Sequence, residues 1–262
     1  MSHGQLLQFA LLAGFVLAIT LSLLIAVCEH PLRGRLSSRT PVQRARIVWW
    51  TLVTPALAGI VYAAMIVVMP SVFHGSDRWA AACYLCVWHP SDSGQSLLLW
   101  GALALLATYA LWLATRAAVG LWRARRALVA MLRLSRRPGE SDKLHVLDAD
   151  QPMALACGIG RGHILLSTSL LQQLDPTQLR VVLAHEQAHI AHRDVQHRLI
   201  AIVLSSIQLP GTRRRLLSDL ELALEQRCDF VAATAVGCPL VVAETIVAVE
   251  KIFRNHAREH RP

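Results

Sequence analysis

His185-Glu186-Gln187-Ala188-His189 gives the strongest indication of what this chain contains. Histidines four residues apart on a helix lie on the same face, so both imidazoles can bind one ion. Neutral imidazole is a preferred zinc ligand, and the carboxylate of Glu186 can take a proton from a water molecule that the ion activates. The motif therefore predicts a zinc site with Glu186 as its general base.

The helix that carries the motif has a well-marked start. Asp175 can cap it, Pro176 suits its first turn, and Gln178 can complete a capping box. We expect the helix to run through both histidines to about Gln196. Chance alone produces the motif in a chain of this length at roughly the one-per-cent level, and the capped helix makes chance a weaker explanation.

A catalytic zinc site also requires a third protein ligand and an open fourth position. The extended motif with a third histidine is absent, because Val195 stands at that position. A glutamate from a second helix is the other source, and Glu221 and Glu225 are both available. Ser218-Asp219-Leu220-Glu221 forms a possible capping box that would occupy Glu221. We therefore predict Glu225 as the ligand, with a solvent-exposed helix face as the alternative.

Asp229 lies one turn beyond Glu225 on the same helical face. It can hold a ligand histidine through the ring nitrogen that does not bind the ion. A position without any role in the site is the alternative for this residue. We expect the helix that starts near Ser218 to end at Gly237, a preferred C-terminal cap, and a last helix to start at Pro239.

Three uncharged apolar runs precede the motif, at residues 6–27, 47–69 and 97–115. Each is close to the ~20 residues that cross the hydrocarbon core of a bilayer as a helix. A cleaved signal peptide is the alternative for the first run, but that run lacks a basic start, since Arg33 is the first arginine. The sequence therefore predicts a mainly α-helical membrane protein with three N-terminal transmembrane helices.

The arginines predict how these helices are oriented. Five lie between the first two runs and seven within residues 116–137, whereas the loop between the second and third runs holds only Arg78. Because positive residues stay on the cytoplasmic side, we expect the N-terminus outside and everything after the third run inside. This distribution explains the net charge of +9 without nucleic acid, for which no binding motif is visible.

A second region is expected to begin near residue 138, where Pro138 and Gly139 end a third helix that extends into the cytoplasm. Short apolar runs at 145–147, 153–156 and 164–167 predict a small sheet with a hairpin. Residues 1–137 are thus predicted to form the transmembrane region, and residues 138–262 an α+β domain.

These motifs together resemble those of known proteins. His185-Glu186-x-x-His189 with Asp194, followed by Glu225-x-x-x-Asp229, resembles membrane metallopeptidases of the gluzincin type. The resemblance is greatest to the antirepressor peptidase family of BlaR/MecR sensor-transducers, which also matches residues 164–167. HtpX-like and CAAX-prenyl-type proteases share the same core and are the second resemblance.

The resemblance covers roughly residues 151–237. It implies a zincin-like fold for the cytoplasmic domain and a zinc endopeptidase that cuts a protein, such as a repressor. It also implies that His185, His189 and Glu225 are ligands and that Glu186 is the base. The run at 199–209 is short for a fourth span, so we expect it to lie against the bilayer or in the core, with a re-entrant segment as the alternative. No penicillin-binding domain is visible, and β-lactam sensing is not expected.

Cys83 and Cys86 lie close together in the predicted outer loop. A disulfide, free thiols, a redox sensor and a metal site with nearby histidines all remain open.

Three functions fit the sequence: a membrane zinc endopeptidase acting on a regulatory protein, an HtpX-like quality-control protease, and a non-catalytic sensor or scaffold. Glu186 argues against the last, because a pure binding site needs no base. The expected partners are a protein or peptide substrate and the lipid bilayer.

Overall fold

The computed structural model of this protein describes residues 3–36, 38–69, 93–137, 143–158, 160 and 162–259. The described part is mainly helical, with one small sheet. In chain order the elements are α1 (His3–Leu36), α2 (Pro41–Val68), α3 (Ser93–Leu134), β1 (Leu144–Leu147), β2 (Ala154–Cys157), β3 (His163–Ser167), α4 (Thr168–Gln173), α5 (Pro176–Ala191), α6 (Asp194–Leu204), a 3₁₀ turn (Ser205–Ile207), α7 (Pro210–Val236) and α8 (Pro239–Glu259).

The three N-terminal helices are long and apolar enough to cross a membrane, over Leu6–Leu36, Pro41–Val68 and Leu103–Leu134. The three predicted apolar runs fall on these helices, so the prediction of three N-terminal candidate spans is confirmed. Each helix is longer than its run, because the arginine-bearing segments next to the runs remain helical. The third helix continues to Leu134, beyond the end of its apolar run, as predicted.

Helices α1 and α2 cross at a pair of glycines. A Cβ added at Gly14 would lie 2.4 Å from the carbonyl oxygen of Gly59, and a Cβ at Gly59 would lie 2.5 Å from that of Gly14. Ala18 and Ala63 stand one turn further along each helix, and their Cβ atoms would lie 2.9 Å from the added ones. Small residues at such a crossing let two membrane helices pack backbone against backbone.

Pro55 interrupts the hydrogen bonding of α2, because proline has no N–H to donate to the carbonyl of Thr51. The side-chain amide of Gln208 supplies the missing donor, at 2.9 Å from the Thr51 carbonyl oxygen and 3.1 Å from that of Leu52. Gln208 lies within the predicted run at 199–209, which is not one continuous helix, because α6 ends at Leu204 and a 3₁₀ turn comes next.

The chain divides into two compact units. The first contains Met1–Ser38, Trp50–Ala118 and Ala201–Leu216, and the second contains Arg39–Trp49, Val119–Ile200 and Leu217–Pro262. Residues 201–209 of the short run after the motif thus belong to the same unit as α1. The boundary near residue 138 remains a prediction.

The sheet has the order β1-β3-β2, with β1 parallel and β2 antiparallel to β3. Each strand lies within one residue of its predicted run, and β2 and β3 form the predicted hairpin. Its turn holds Gly158 at φ +106° and Gly160 at φ +88°, conformations that glycine adopts without strain. A Cβ at Gly162 would lie 2.4 Å from the Cγ2 of Ile190, so the hairpin packs closely on α5.

Helix α5 starts as predicted but ends earlier. The carboxylate of Asp175 accepts the backbone N–H groups of Thr177 and Gln178, and the Gln178 side chain completes the capping box. The prediction that the helix reaches about Gln196 is wrong, because α5 ends at Ala191. Arg193 then adopts the left-handed region, at φ 54°, which breaks the helical hydrogen-bond pattern before α6 begins.

Helix α7 starts earlier than predicted and ends as predicted. It begins at Pro210, so Ser218 lies inside the helix and the predicted capping box at 218–221 does not exist. Proline suits the first helical position, which explains the actual start. Gly237 follows the helix at φ +78°, as a C-terminal cap requires, and α8 begins at Pro239.

Buried residues on α5 fix it against both neighbouring layers. Val182 packs in a cluster with Ile164 of β3 and with α4. Val181 packs with Ala232 of α7 and Val242 of α8. Helix α5 is therefore held between the sheet on one side and the last two helices on the other.

Candidate metal centre

Three side chains from α5 and α7 converge on one point. The Nε2 atoms of His185 and His189 are 3.2 Å apart. Oε2 of Glu225 lies 3.3 Å from the first and 3.7 Å from the second. Tetrahedral zinc with bonds of about 2.0–2.2 Å separates its ligand atoms by roughly 3.3–3.6 Å. These three atoms could therefore occupy three corners around one ion.

A carboxylate holds the other ring nitrogen of each histidine. Oδ1 of Asp229 lies 2.9 Å from Nδ1 of His185, and Oδ2 of Asp194 lies 2.8 Å from Nδ1 of His189. Such hydrogen bonds fix the tautomer and the orientation of an imidazole. Both Nε2 atoms are consequently left to meet Glu225.

Burial and hydrogen bonding oppose each other in setting the charge of the two histidines. Burial disfavours the charge of His185, but hydrogen bonds with Asp229 and Glu225 outweigh it and raise its pKa to about 9. Burial is likewise outweighed at His189, where hydrogen bonds to Asp194, Cys228 and Glu225 raise the pKa to about 12. The same contacts hold the pKa of Glu225 well below its usual range. The site therefore attracts positive charge, for which protons and a metal ion compete.

Glu186 lies beside this group and is only 9% exposed. Burial raises the pKa of its carboxyl, although the charges of both histidines and a hydrogen bond with the backbone of Ala156 act in the opposite direction. A carboxylate whose pKa is raised is a stronger base than an ordinary carboxylate, so it takes up a proton more readily. This is the property that a general base in a hydrolase requires.

A second group surrounds Nδ1 of His189. Besides Asp194, the Sγ of Cys228 lies 3.3 Å from Nδ1 and 3.6 Å from Oδ2 of Asp194. His189, Asp194 and Cys228 are also close enough together to hold a metal ion. The short contact between Nδ1 and Oδ2 is an ordinary hydrogen bond, however, and Cys228 is fully buried. We therefore interpret this group as support for His189.

Sequence reasoning missed part of this arrangement. It named Asp194 without a role, and it missed Cys228 and Arg227, whose Nη2 contacts Oδ1 of Asp194. The turn that brings Asp194 back to His189 depends on Arg193 in the left-handed region. No sequence pattern predicts an arginine in that conformation. Arg227 could have been noticed, because it is a charged residue between Glu225 and Asp229 on α7. Cys83 and Cys86 lie outside the described residues.

Comparison with known proteins assigns the family. Residues 121–252 match Peptidase family M48. This chain belongs to peptidase family M48. Members of M48 are metallopeptidases that depend on zinc, which agrees with the donor atoms that converge here. No solved structure matches the chain significantly.

Several M48 relatives are named as HtpX homologues. "Protease HtpX homolog" of Acidiphilium cryptum is 29% identical over 243 residues, which covers 78% of this chain and 82% of that protein. "Protease HtpX homolog" of Aquifex aeolicus is 40% identical over 67 residues, covering 25% and 21%. "Protease HtpX homolog 1" of Saccharolobus solfataricus is 31% identical over 139 residues, covering 48% and 44%. The chain thus spans most of the first relative and less than half the length of the other two.

These M48 relatives correspond to the second of the two resemblances in the sequence. Membership of M48 agrees with the predicted metallopeptidase, and the three apolar helices together with the HtpX relatives indicate an integral membrane protein. Membership of the BlaR/MecR antirepressor group remains a prediction.

Proposed function

We propose that this chain is an HtpX-like zinc metalloendopeptidase, anchored in the cell membrane, that hydrolyses peptide bonds of protein substrates on the cytoplasmic side. The convergence of His185, His189 and Glu225 next to Glu186 is the observation that carries the proposal. Membership of M48 and the three candidate spans support it.

Each side chain has a role in this mechanism. His185, His189 and Glu225 would hold zinc through two imidazole nitrogens and one carboxylate oxygen. The bound ion would supply a Lewis acid that polarises the peptide carbonyl and lowers the pKa of water. Glu186 takes the proton of the attacking water and delivers it to the nitrogen of the leaving product. Asp229 and Asp194 keep the two imidazoles oriented, so that no reorganisation is required during the reaction.

Replacement of the base tests the proposal. Glu186→Gln should abolish cleavage of labelled casein by the detergent-solubilised chain, while one zinc per chain remains bound. Glu221→Gln is the matched control on α7, since Glu221 is an exposed residue paired with Arg198, and it should cleave normally. Cleavage by Glu186→Gln at the wild-type rate would show that the mechanism is wrong.

The proposed topology follows from the arginine distribution, with the N-terminus outside and the peptidase domain, residues 138–262, in the cytoplasm. A green fluorescent protein fused to the C-terminus should fluoresce, and alkaline phosphatase at the same place should be inactive. The reverse result would show that the C-terminus lies outside and that the proposed topology is wrong.

The class of substrate separates the remaining hypotheses. Proteins that accumulate uncleaved in cells carrying Glu186→Gln can be compared with those in wild-type cells. Many unrelated membrane proteins would indicate quality control, whereas a single regulatory protein would indicate the signalling role implied by the BlaR/MecR resemblance. No difference would favour a non-catalytic scaffold.

A further inference from the structure

Arg227 lies between Glu225 and Asp229 on α7 but contacts a different partner. Successive residues of a helix turn by about 100°, so Asp229 returns to the face of Glu225 while Arg227 lies about 200° away from it. Nη2 of Arg227 contacts Oδ1 of Asp194, the first residue of α6. This contact joins α7 to α6 beside the metal-ligand candidates.

The carboxylate of Asp194 connects Arg227 to the imidazole of His189, a candidate ligand. One oxygen of its carboxylate meets Arg227, and the other lies 2.8 Å from Nδ1 of His189. The side chains of Arg227 and Asp194 are only 12% and 6% exposed. A buried ion pair is screened little by salt and water, and removal of one partner leaves an uncompensated charge. The chain from Arg227 to His189 is therefore strongly coupled.

The surroundings of Arg227 indicate that the contact with Asp194 is the reason for an arginine at this position. Its Nε is buried and has no hydrogen-bond partner among the residues that the structure describes. An unsatisfied buried donor is costly, so a packed apolar side chain would serve stability better here. An apolar side chain at this position could not make the contact with the Asp194 carboxylate.

We propose that Arg227 is a positioning residue of the metal site, which fixes the Asp194 carboxylate and through it the His189 imidazole. Helix α7 then orients both ligand histidines, His185 directly through Asp229 and His189 through Arg227 and Asp194. The inference rests on the proposed function, because it assumes that the site binds zinc. It adds a residue that touches neither zinc nor substrate.

A double-mutant cycle on zinc affinity tests the proposal. Affinity is measured on the purified full-length chain in detergent by competition with a chelator of known affinity. Arg227→Met and Asp194→Ala should each weaken zinc binding by about tenfold to a hundredfold, as loss of the support of a ligand does. The double variant should be no weaker than Asp194→Ala alone, because Arg227 acts through Asp194. Multiplied losses in the double variant, or wild-type affinity in Arg227→Met, would overturn the proposal.

Two further variants control for loss of structure. Arg227→Lys keeps the charge and most of the length, so it should fold and show a smaller loss of affinity, of about twofold to tenfold. Arg198→Met removes an arginine from an exposed ion pair with Glu221 and should leave zinc affinity within about twofold. If Arg227→Met fails to fold, Arg227→Lys carries the test, and unchanged zinc affinity in that variant would overturn the proposal.

The visible spectrum of cobalt-substituted protein gives a second measurement that a purely structural role would not change. Arg227→Lys should alter the absorption bands of bound cobalt, since the His189 ligand is reoriented, and Arg198→Met should not. The two proposals fail differently. A wild-type chain that binds no zinc contradicts the proposed function, whereas a wild-type chain that binds zinc with no coupling between Arg227 and Asp194 contradicts only this inference.

Discussion

Individual residues in the site act in pairs. His185 and His189 each present one ring nitrogen to the point where Glu225 meets them and give the other to a carboxylate. An imidazole held in this way loses little conformational entropy when it binds an ion, because its side chain has already been ordered when the protein folds. The site residues therefore include the supporting carboxylates as well as the candidate ligands.

Loss of a supporting carboxylate should weaken zinc binding without removing it. Asp229→Ala takes away the acceptor for Nδ1 of His185, and we expect zinc affinity to fall by about tenfold to a hundredfold. Asp229→Asn keeps an oxygen acceptor and should lose less. Chelator competition measures both variants, with Glu244→Ala on the exposed surface of α8 as the control. Equal affinity in Asp229→Ala and wild type would contradict the role assigned to Asp229.

The sequence predicted those residues of the site that depend on local spacing. His185, Glu186 and His189 follow from one helical turn, and Glu225 and Asp229 from another. The argument that selected Glu225 over Glu221 used a capping box at Ser218 that does not exist. Asp194 and Arg227 could not be placed, because their contacts depend on a left-handed residue and on tertiary packing between α6 and α7.

At the scale of elements, the helices meet through a few specific contacts. The crossing of α1 and α2 depends on glycine, and the proline in α2 depends on a side chain from beyond α6. Neither contact follows from the hydropathy of the spans, although hydropathy located the spans themselves. Apolar periodicity indicates where a helix lies but not which residue it packs against.

The glycine crossing gives a stability prediction. Gly14→Ala places a Cβ 2.4 Å from the carbonyl oxygen of Gly59, so α1 and α2 must separate, and we expect a loss of about 1–3 kcal/mol. Gly101→Ala is the matched control on α3, since a Cβ there meets nothing within 4 Å. Thermal unfolding in detergent should show a lower Tm for the first variant only. An unchanged Tm for Gly14→Ala would contradict the close crossing.

The proline in α2 gives a second prediction at this scale. Gln208→Leu removes the amide that donates to the carbonyls of Thr51 and Leu52 and should cost about 1–3 kcal/mol. In a Pro55→Ala background the helix regains its own N–H, and the same substitution should cost less. Unfolding free energies of the four proteins measure this coupling. Equal costs in both backgrounds would mean that Gln208 does not compensate for Pro55.

At the scale of the whole molecule, three candidate spans and a metallopeptidase domain stand in one chain of the M48 family. The excess of arginine lies beside the apolar runs, where positive side chains can meet the headgroups of a membrane surface. The fold class was predictable because long apolar runs and a capped helix are strong signals. The early end of α5 was not, since no glycine or proline marks it.

X-ray absorption at the zinc edge of the full-length wild-type chain tests the central claim most directly. Two imidazoles and the carboxylate of Glu225 should give only nitrogen and oxygen neighbours at about 2.0–2.2 Å, with the outer-shell scattering of two imidazole rings. A sulfur neighbour at about 2.3 Å would contradict the account, because it would place the ion against Cys228 and Asp194 instead.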